Sequence, residues 1–531
     1  MQLQRFLLIL ALSVSMLSSA RAINIQLDQL HEFKLPNPIS LAGKTFGTAL
    51  AIFGDIAVVA ATSEEGEEPG VVYLYANQEN WHLINTFSSE QQGDNFAKHI
   101  KLVGDMLVVS ADKDASHGRD SGAVYIYERL AVSGVSWWQQ TAKLTAPDAQ
   151  AGARFGAGIA LVDDILYIGA PRQGQGKVYL YARDINTGQW QVTANIEPED
   201  PQAMRFGADI AQDGQTLIIG APHTDADNSL LPNMKQVARF QISRNDTFDP
   251  GIESGAIFVY KKVADSWQAT VRLGSENRET SDNLGEQIAI DGDIIVASVK
   301  HKDVLDDLRA GAVYIYQKVN KTWQEDTVLV APDNNVGATF GNNISVLDQH
   351  IFVGANKVQA NGFNSGSAYL FARDVVSNAW TSVLQQTNAN LQPHDQFGLS
   401  VALGAEQMLV ASKEAVYIFQ NTPVQLAAAV YYPRDNILQL NAVTVANLGI
   451  IGLTLQLTQQ NDMAALSLLD GYLGADSHAG TAIFTANTGQ LSIPELTIHN
   501  QEGVSYQLNL QIMEQADPLQ FRVQLIKANG I

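Results

Sequence analysis

The 531-residue chain contains no cysteine. That excludes disulfides, thiolate metal sites, iron–sulfur clusters, cysteine nucleophiles and lipidated cysteines. Charge is scarce at 17% of residues, and cations are scarcer still: 33 Lys and Arg face 55 Asp and Glu, a formal net charge of −22. So acidic a surface argues against nucleic acid and against polybasic membrane contact, and suits cations or basic partners. No apolar run is long enough for a membrane-spanning helix. P-loop, HExxH and GxSxG patterns are missing. The ten His have no zinc-ligand spacing. Acidic pairs such as Asp163-Asp164 and Asp306-Asp307 fit turns better than a facing glycosidase pair. The chain is therefore expected not to be an enzyme. What it has is 46% hydrophobic residues, ample for a packed core.

The first 22 residues read as a separate unit. Arg5 precedes an apolar run, Phe6 to Leu17, and small residues end at Ala20-Arg21-Ala22. This is the pattern of a secretory signal peptide, with cleavage expected after Ala22. Its loss removes two Arg and takes the net charge from −22 to −24. The expectation is an exported protein, extracellular, on the cell surface or periplasmic. Its independence from disulfides favours a bacterial source.

The body of the chain repeats itself. One unit reads FGAGIALVDDILYIGAP from Phe155, then GKVYLYAR from Gly176, then WQVTANI from Trp190. Equivalent starts fall at Phe46, Phe96 (followed by Ala97 instead of Gly), Phe206, Leu284, Phe340 and Phe397. Each unit holds four short runs of alternating apolar residues, which predicts four strands. Pairs such as Gly54-Asp55, Gly104-Asp105 and Asp213-Gly214 suit tight hairpins between the first two. The fourth run opens on Trp in six units: Trp81, Trp138, Trp190, Trp267, Trp323 and Trp380. Seven four-stranded units predict a seven-bladed β-propeller over residues 31–420, whose blades bury both faces against their neighbours. The last unit lacks a Trp-led run, while His31 to Pro36 resembles Thr141 to Pro147. The N-terminal strand is therefore expected to complete blade seven, which removes a free edge.

The Phe-Gly pairs, with Gly169-Ala170-Pro171, Gly220-Ala221-Pro222 and the degenerate Gly354-Ala355-Asn356, resemble the FG-GAP repeats of integrin α-chain propellers and their bacterial relatives. The resemblance implies that the face bearing the loops between second and third strands carries ligand contacts. Those loops vary most here: Glu64 to Pro69, Asp112 to Asp120, His223 to Glu253 and Lys300 to Arg309. They read equally as a binding surface or as a solvated acidic rim. The family's calcium loop lies in the turn between the first two strands, and the corresponding turns here are too short for it. One candidate calcium loop lies elsewhere. Asp112, Asp114, Ser116, Gly118 and Asp120 alternate along one loop, a spacing that can gather oxygens around an ion. An exposed acidic loop would have the same composition.

Past Pro423, residues 424–531 carry a duplication at an offset of 53: Leu438–Val445 matches Leu491–Ile498, and Leu453–Leu457 matches Tyr506–Leu510. A small duplicated β-sandwich-like domain is expected there. The whole is read as an all-β, exported binding or adhesion protein presenting propeller loops to a protein or glycan ligand. A cell-envelope structural or assembly scaffold is the alternative.

Overall fold

The computed structural model describes residues 25–421 apart from short gaps and the stretch 226–252, and the backbone of the strands within 427–530. The expected export signal at 1–22 lies outside the described residues. Among those residues there is no helix.

Chain contacts separate Ala22–Gln420 from Asn421–Ile531. The first unit holds seven four-stranded antiparallel sheets. Blade 1 runs Lys44–Phe53, Ile56–Ser63, Val71–Asn77 and Trp81–Ser88. Blades 2 to 7 follow the same order, with first strands Phe96–Val103, Ile159–Val162, Ile210–Asp213, Ile288–Asp291, Asn343–Leu347 and Val401–Leu403. In the seventh sheet, Leu30–Lys34 lies beside Val416–Asn421, and Leu35 N donates to Val416 O at 2.8 Å.

Alternation along the strands explains the packing. In blade 3, Leu166, Ile168 and Ala170 face blade 2, while Tyr167 faces blade 4. Seven hydrophobic clusters result, each drawn from two adjacent blades. No blade owns a core of its own, so each depends on its neighbours. The Phe of each Phe-Gly start is fully buried and meets an aromatic of its own third strand edge-on. Examples are Phe46–Tyr73, Phe96–Tyr125, Phe155–Tyr179 and Phe340–Tyr369, at 5.3 to 5.7 Å between centroids. Burying one such ring stabilises the fold by about 2–3 kcal/mol, and the edge-on pairing adds ~1 kcal/mol.

Two features repeat that the pattern of apolar residues does not show. In six blades the pairing of third and fourth strands slips by one residue at the same place, before the second aromatic of the third strand (Leu74/Tyr75, Ile126/Tyr127, Leu180/Tyr181, Val259/Tyr260, Ile315/Tyr316 and Leu370/Phe371). A bulge there sharpens the twist of each blade. In blades 5, 6 and 7, N–H groups of the innermost strand, a sheet edge, or of the turn that follows it are capped by side chains of the preceding blade. Asp209 accepts from Ile288 N, Asp213 from Gly292 N, Asp291 from Asp348 N, Asn343 from Val401 N and Ser345 from Leu403 N, at 2.5 to 3.1 Å.

The second unit is described by its backbone alone. One antiparallel sheet orders Met463–Gly471, Gly449–Gln460, Ile437–Val445, Ala427–Tyr432, Gln520–Gly530, Ser505–Glu514 and Leu496–His499. Ile483–Thr485 and Gln490–Ser492 pair separately. The 53-residue offset carries Leu453–Leu457 onto Tyr506–Leu510, on opposite flanks of the Ala427–Tyr432 strand.

Candidate ligand-binding face

Antiparallel order places the loops between second and third strands at the same end of each blade as the links between blades. Glycine fixes where they meet. Gly122, Gly176, Gly255 and Gly366, at the start of third strands, each bridge to the first residue of the next blade's Phe-Gly or Leu-Gly pair. A side chain at Gly176 would place its Cβ 2.1 Å from Phe206 O, and its φ of +112° already disfavours any other residue.

The loop Asp112–Asp120 and its surroundings form a charged cluster on this face. Asp114 is fully buried and receives Lys143 Nζ at 2.8 Å, Ser116 N at 2.8 Å and Tyr125 OH at 3.2 Å. Burial opposes its ionisation, yet the Lys143 and Ser116 hydrogen bonds outweigh it and hold the carboxyl below its ordinary range. Lys143 is correspondingly raised: burial works against its charge, and Asp114 and Tyr125 more than compensate. Asp112 faces elsewhere. It receives Arg154, from the link between blades 2 and 3, at 3.0 Å and Asn95 Nδ2 at 2.9 Å. Asp120 reaches the other arm of Arg154 at 3.6 Å. Ser116 Oγ accepts from Lys143 at 2.8 Å, and Gly118, at φ +112°, turns the chain.

The five candidate calcium positions therefore sit in one loop without forming one ligand set. Among the described residues no three acidic or His side chains gather around a common point. Two cations neutralise the acids in place. Those cations come from 29 and 42 residues away, beyond any local spacing pattern.

The same device recurs around the face. Arg272 binds Asp200 at 2.8 Å, Lys302 binds Asp282 at 3.0 Å with both side chains buried, and His223 meets Glu253 at 2.9 Å. Asp148 accepts from Tyr179 OH and, at 3.1 Å, from Lys177. Of the loops expected to vary, 64–67, 226–252 and 305–308 lie outside the described residues. So do Asp163 and the Asp306-Asp307 pair.

Three carboxyls are raised by burial: Asp94, Asp209 and Asp291. Raised acids often mark catalysis. Each of these instead accepts a backbone N–H: Phe96 N for Asp94, Ile210 N and Ile288 N for Asp209, Asp348 N for Asp291. In the innermost strand of blade 2, burial, with Lys98 adding, pushes His99 down to about 3.

The FG-GAP repeat family matches residues 87–127, 138–181 and 323–371. No curated protein matches the chain. Among solved structures, a candidate 6-phosphogluconolactonase from Bacteroides fragilis is 10% identical, with 64% of this chain and 84% of that one covered and a TM-score of 0.42. A protein from Lactobacillus plantarum is 11% identical, covering 65% and 85%, with a TM-score of 0.38. The three segments that match the FG-GAP repeat lie inside a ring of seven four-stranded blades, consistent with an FG-GAP propeller.

Proposed function

We propose that the protein is an exported, non-enzymatic binding protein whose propeller loop face takes up a protein or glycan partner, in the manner of an adhesin. The observation that carries this reading is the ion-paired loop face. Loops of different sequence are each anchored by a cation: Lys143 at Asp114, Arg154 at Asp112, Arg272 at Asp200, Lys302 at Asp282. Loops held rigid on a closed ring of strands keep their shape on binding, so less ordering entropy is lost. The raised acids support a role without catalysis, because each caps backbone N–H groups and none faces a second raised acid. The reading asks for no metal, since Lys143 and Arg154 already balance the Asp112–Asp120 loop.

Two measurements test it. Protease shaving of intact host cells, with a periplasmic marker as control, is expected to clip the protein and spare the marker; protection would exclude an outward-facing adhesin. Protein and glycan arrays probed with the full chain are expected to return ligands lost when the Asp112–Asp120 loop is replaced. An array without hits would sink the binding role.

A further inference from the structure

An acidic protein carries a ring of Lys, Arg and His positions on this face. The position two residues past the second strand is Lys113, Arg172, His223, His301, Lys357 and Lys413 in blades 2 to 7. In four of these blades one backbone bond fixes it. Lys113 N donates to Asp94 O, Arg172 N to Ala153 O, Lys357 N to Ala338 O and Lys413 N to Asp395 O, at 2.7 to 3.3 Å. Each acceptor lies two residues before the Phe of its own Phe-Gly pair. The fold does not require a cation there, because the bond uses only main chain.

Four acids of the same face are engaged by other cations: Asp114 by Lys143, Asp112 by Arg154, Asp200 by Arg272 and Asp282 by Lys302. Among the described residues, Arg172, Lys357 and neighbouring Arg205 lie within ion-pair distance of no carboxylate, and Arg172 and Lys357 are exposed. These cations sense one another. Burial and then Arg172 and Arg154 pull Arg205 below its ordinary value against the pull of Glu253 and Glu286, and burial with Lys300, Arg309 and Lys357 does the same to His301 against Glu286. Arg154 and Lys300 have their own carboxylates, but Arg172 and Lys357 add charge that no carboxylate within ion-pair distance offsets, a cost that an anionic partner relieves. At physiological salt, charges more than about 8 Å away are largely screened, so the groups nearest a contact weigh most. Two apolar side chains stand on the same loops: Met204, beside Arg205, is 55% exposed, and Phe363, packed edge-on against His394, is 57% exposed.

We infer that this ring is a docking surface for an acidic polypeptide segment, with carboxylates meeting Arg172, Arg205 and Lys357 and apolar side chains meeting Met204 and Phe363. The inference rests on the binding role proposed above and names its ligand class. The apolar pair favours a peptide over a uronate polysaccharide, which offers no apolar side chains.

The test uses the full chain and a short fluorescent peptide of repeating Glu-Glu-Leu, read by anisotropy. Arg172→Glu with Lys357→Glu is expected to weaken binding about tenfold, or ~1.4 kcal/mol. Lys261→Glu with Lys321→Glu, on exposed blade hairpins away from the ring, is expected to change it less than about twofold. The milder pair Arg172→Gln with Lys357→Gln is expected to fall between, and covers the case of a misfolded reversal. Equal loss in ring and hairpin variants overturns the proposal, as does absence of peptide binding by the folded wild type at low salt. Binding of oligogalacturonate in place of the peptide overturns the partner class. An array ligand held equally by wild type and the ring variants overturns the ring while leaving the loop-face role intact.

Discussion

Six of the seven seams between blades carry a glycine, and the seventh does not. At Gly70, Gly122, Gly176, Gly255, Gly311 and Gly366 an added Cβ would lie 1.7 to 2.2 Å from the carbonyl oxygen of the next blade's first Phe or Leu. Between blades 7 and 1 the equivalent residue is Glu414, which is exposed. The backbone bond across that seam survives, Phe46 N to Lys413 O, but at 3.3 Å against 2.8 Å for Phe340 N to Ala310 O and Phe397 N to Ser365 O. Glycine at the head of the third strand is therefore an inter-blade contact rather than a turn device. Where the chain's two ends meet, other groups hold the seam: Trp81 Nε1 donates to buried Gln420 Oε1 at 3.0 Å, and Ser400 Oγ to Gly47 O at 2.5 Å.

The strongest way to break this comparison is Gly176→Ala. Its Cβ would meet main-chain atoms, which cannot yield as a side-chain tip can. A loss above about 3 kcal/mol is expected in denaturant titration. Glu414→Gly, at the seventh seam, should stay within about 1 kcal/mol of wild type. Equal losses at both positions would dissolve the distinction.

Next in size is Lys143→Met, beside the Asp112–Asp120 loop. It leaves the buried Asp114 carboxylate without its cation and should cost about 3 kcal/mol at neutral pH. The sign with pH follows from the depressed folded-state pKa of Asp114. That group stabilises the fold above its unfolded value near 3.8 and loses this contribution as pH falls through the lower folded value. The gap between wild type and variant should therefore narrow in acid, as stability curves at several pH values would show.

Trp81→Phe removes the bond to Gln420 and should cost about 1–2 kcal/mol. Trp138, at the matching position of blade 2, has a buried Nε1 with no hydrogen-bond partner. Trp138→Phe should cost less, and the difference between the two variants measures the closing seam's own hydrogen bond.

The smallest effect is a gain. Ala97 takes φ +69° where all six other starts have glycine near +90°. Ala97→Gly should raise stability by about 1 kcal/mol by relieving left-handed strain. No rise in melting temperature would mean that the Ala97 methyl packs well enough to offset it.

Much of the ring was legible in the sequence. Six Phe-Gly or Leu-Gly starts with Phe96-Ala97, four alternating runs per unit and six Trp-led fourth runs correspond to seven four-stranded sheets. The bulges were not legible, because pairing Tyr127 with Gln140 after Ile126 with Ala142 is a fact about two strands, not one. The Asp112–Asp120 loop shows the same limit. Its alternation of oxygens is visible, but the ammonium of Lys143 and the guanidinium of Arg154 arrive through tertiary structure. The ring of Lys, Arg and His positions was within reach: aligning Asp112-Lys113, Pro171-Arg172, Pro222-His223 and Asn356-Lys357 exposes it, once the repeat is followed past its apolar positions.

The capped inner strands have a consequence for what can enter the propeller. Asp209, Asn343 and Ser345 already hold main-chain donors of the strands beside them, and Asp213 and Asp291 hold donors of the turns that follow such strands. A foreign strand meeting the inner edge of blade 5 or blade 7 would find the N–H of Ile288, or of Val401 and Leu403, already taken, which opposes β-augmentation there. Strand exchange between molecules is thereby opposed at those two inner edges.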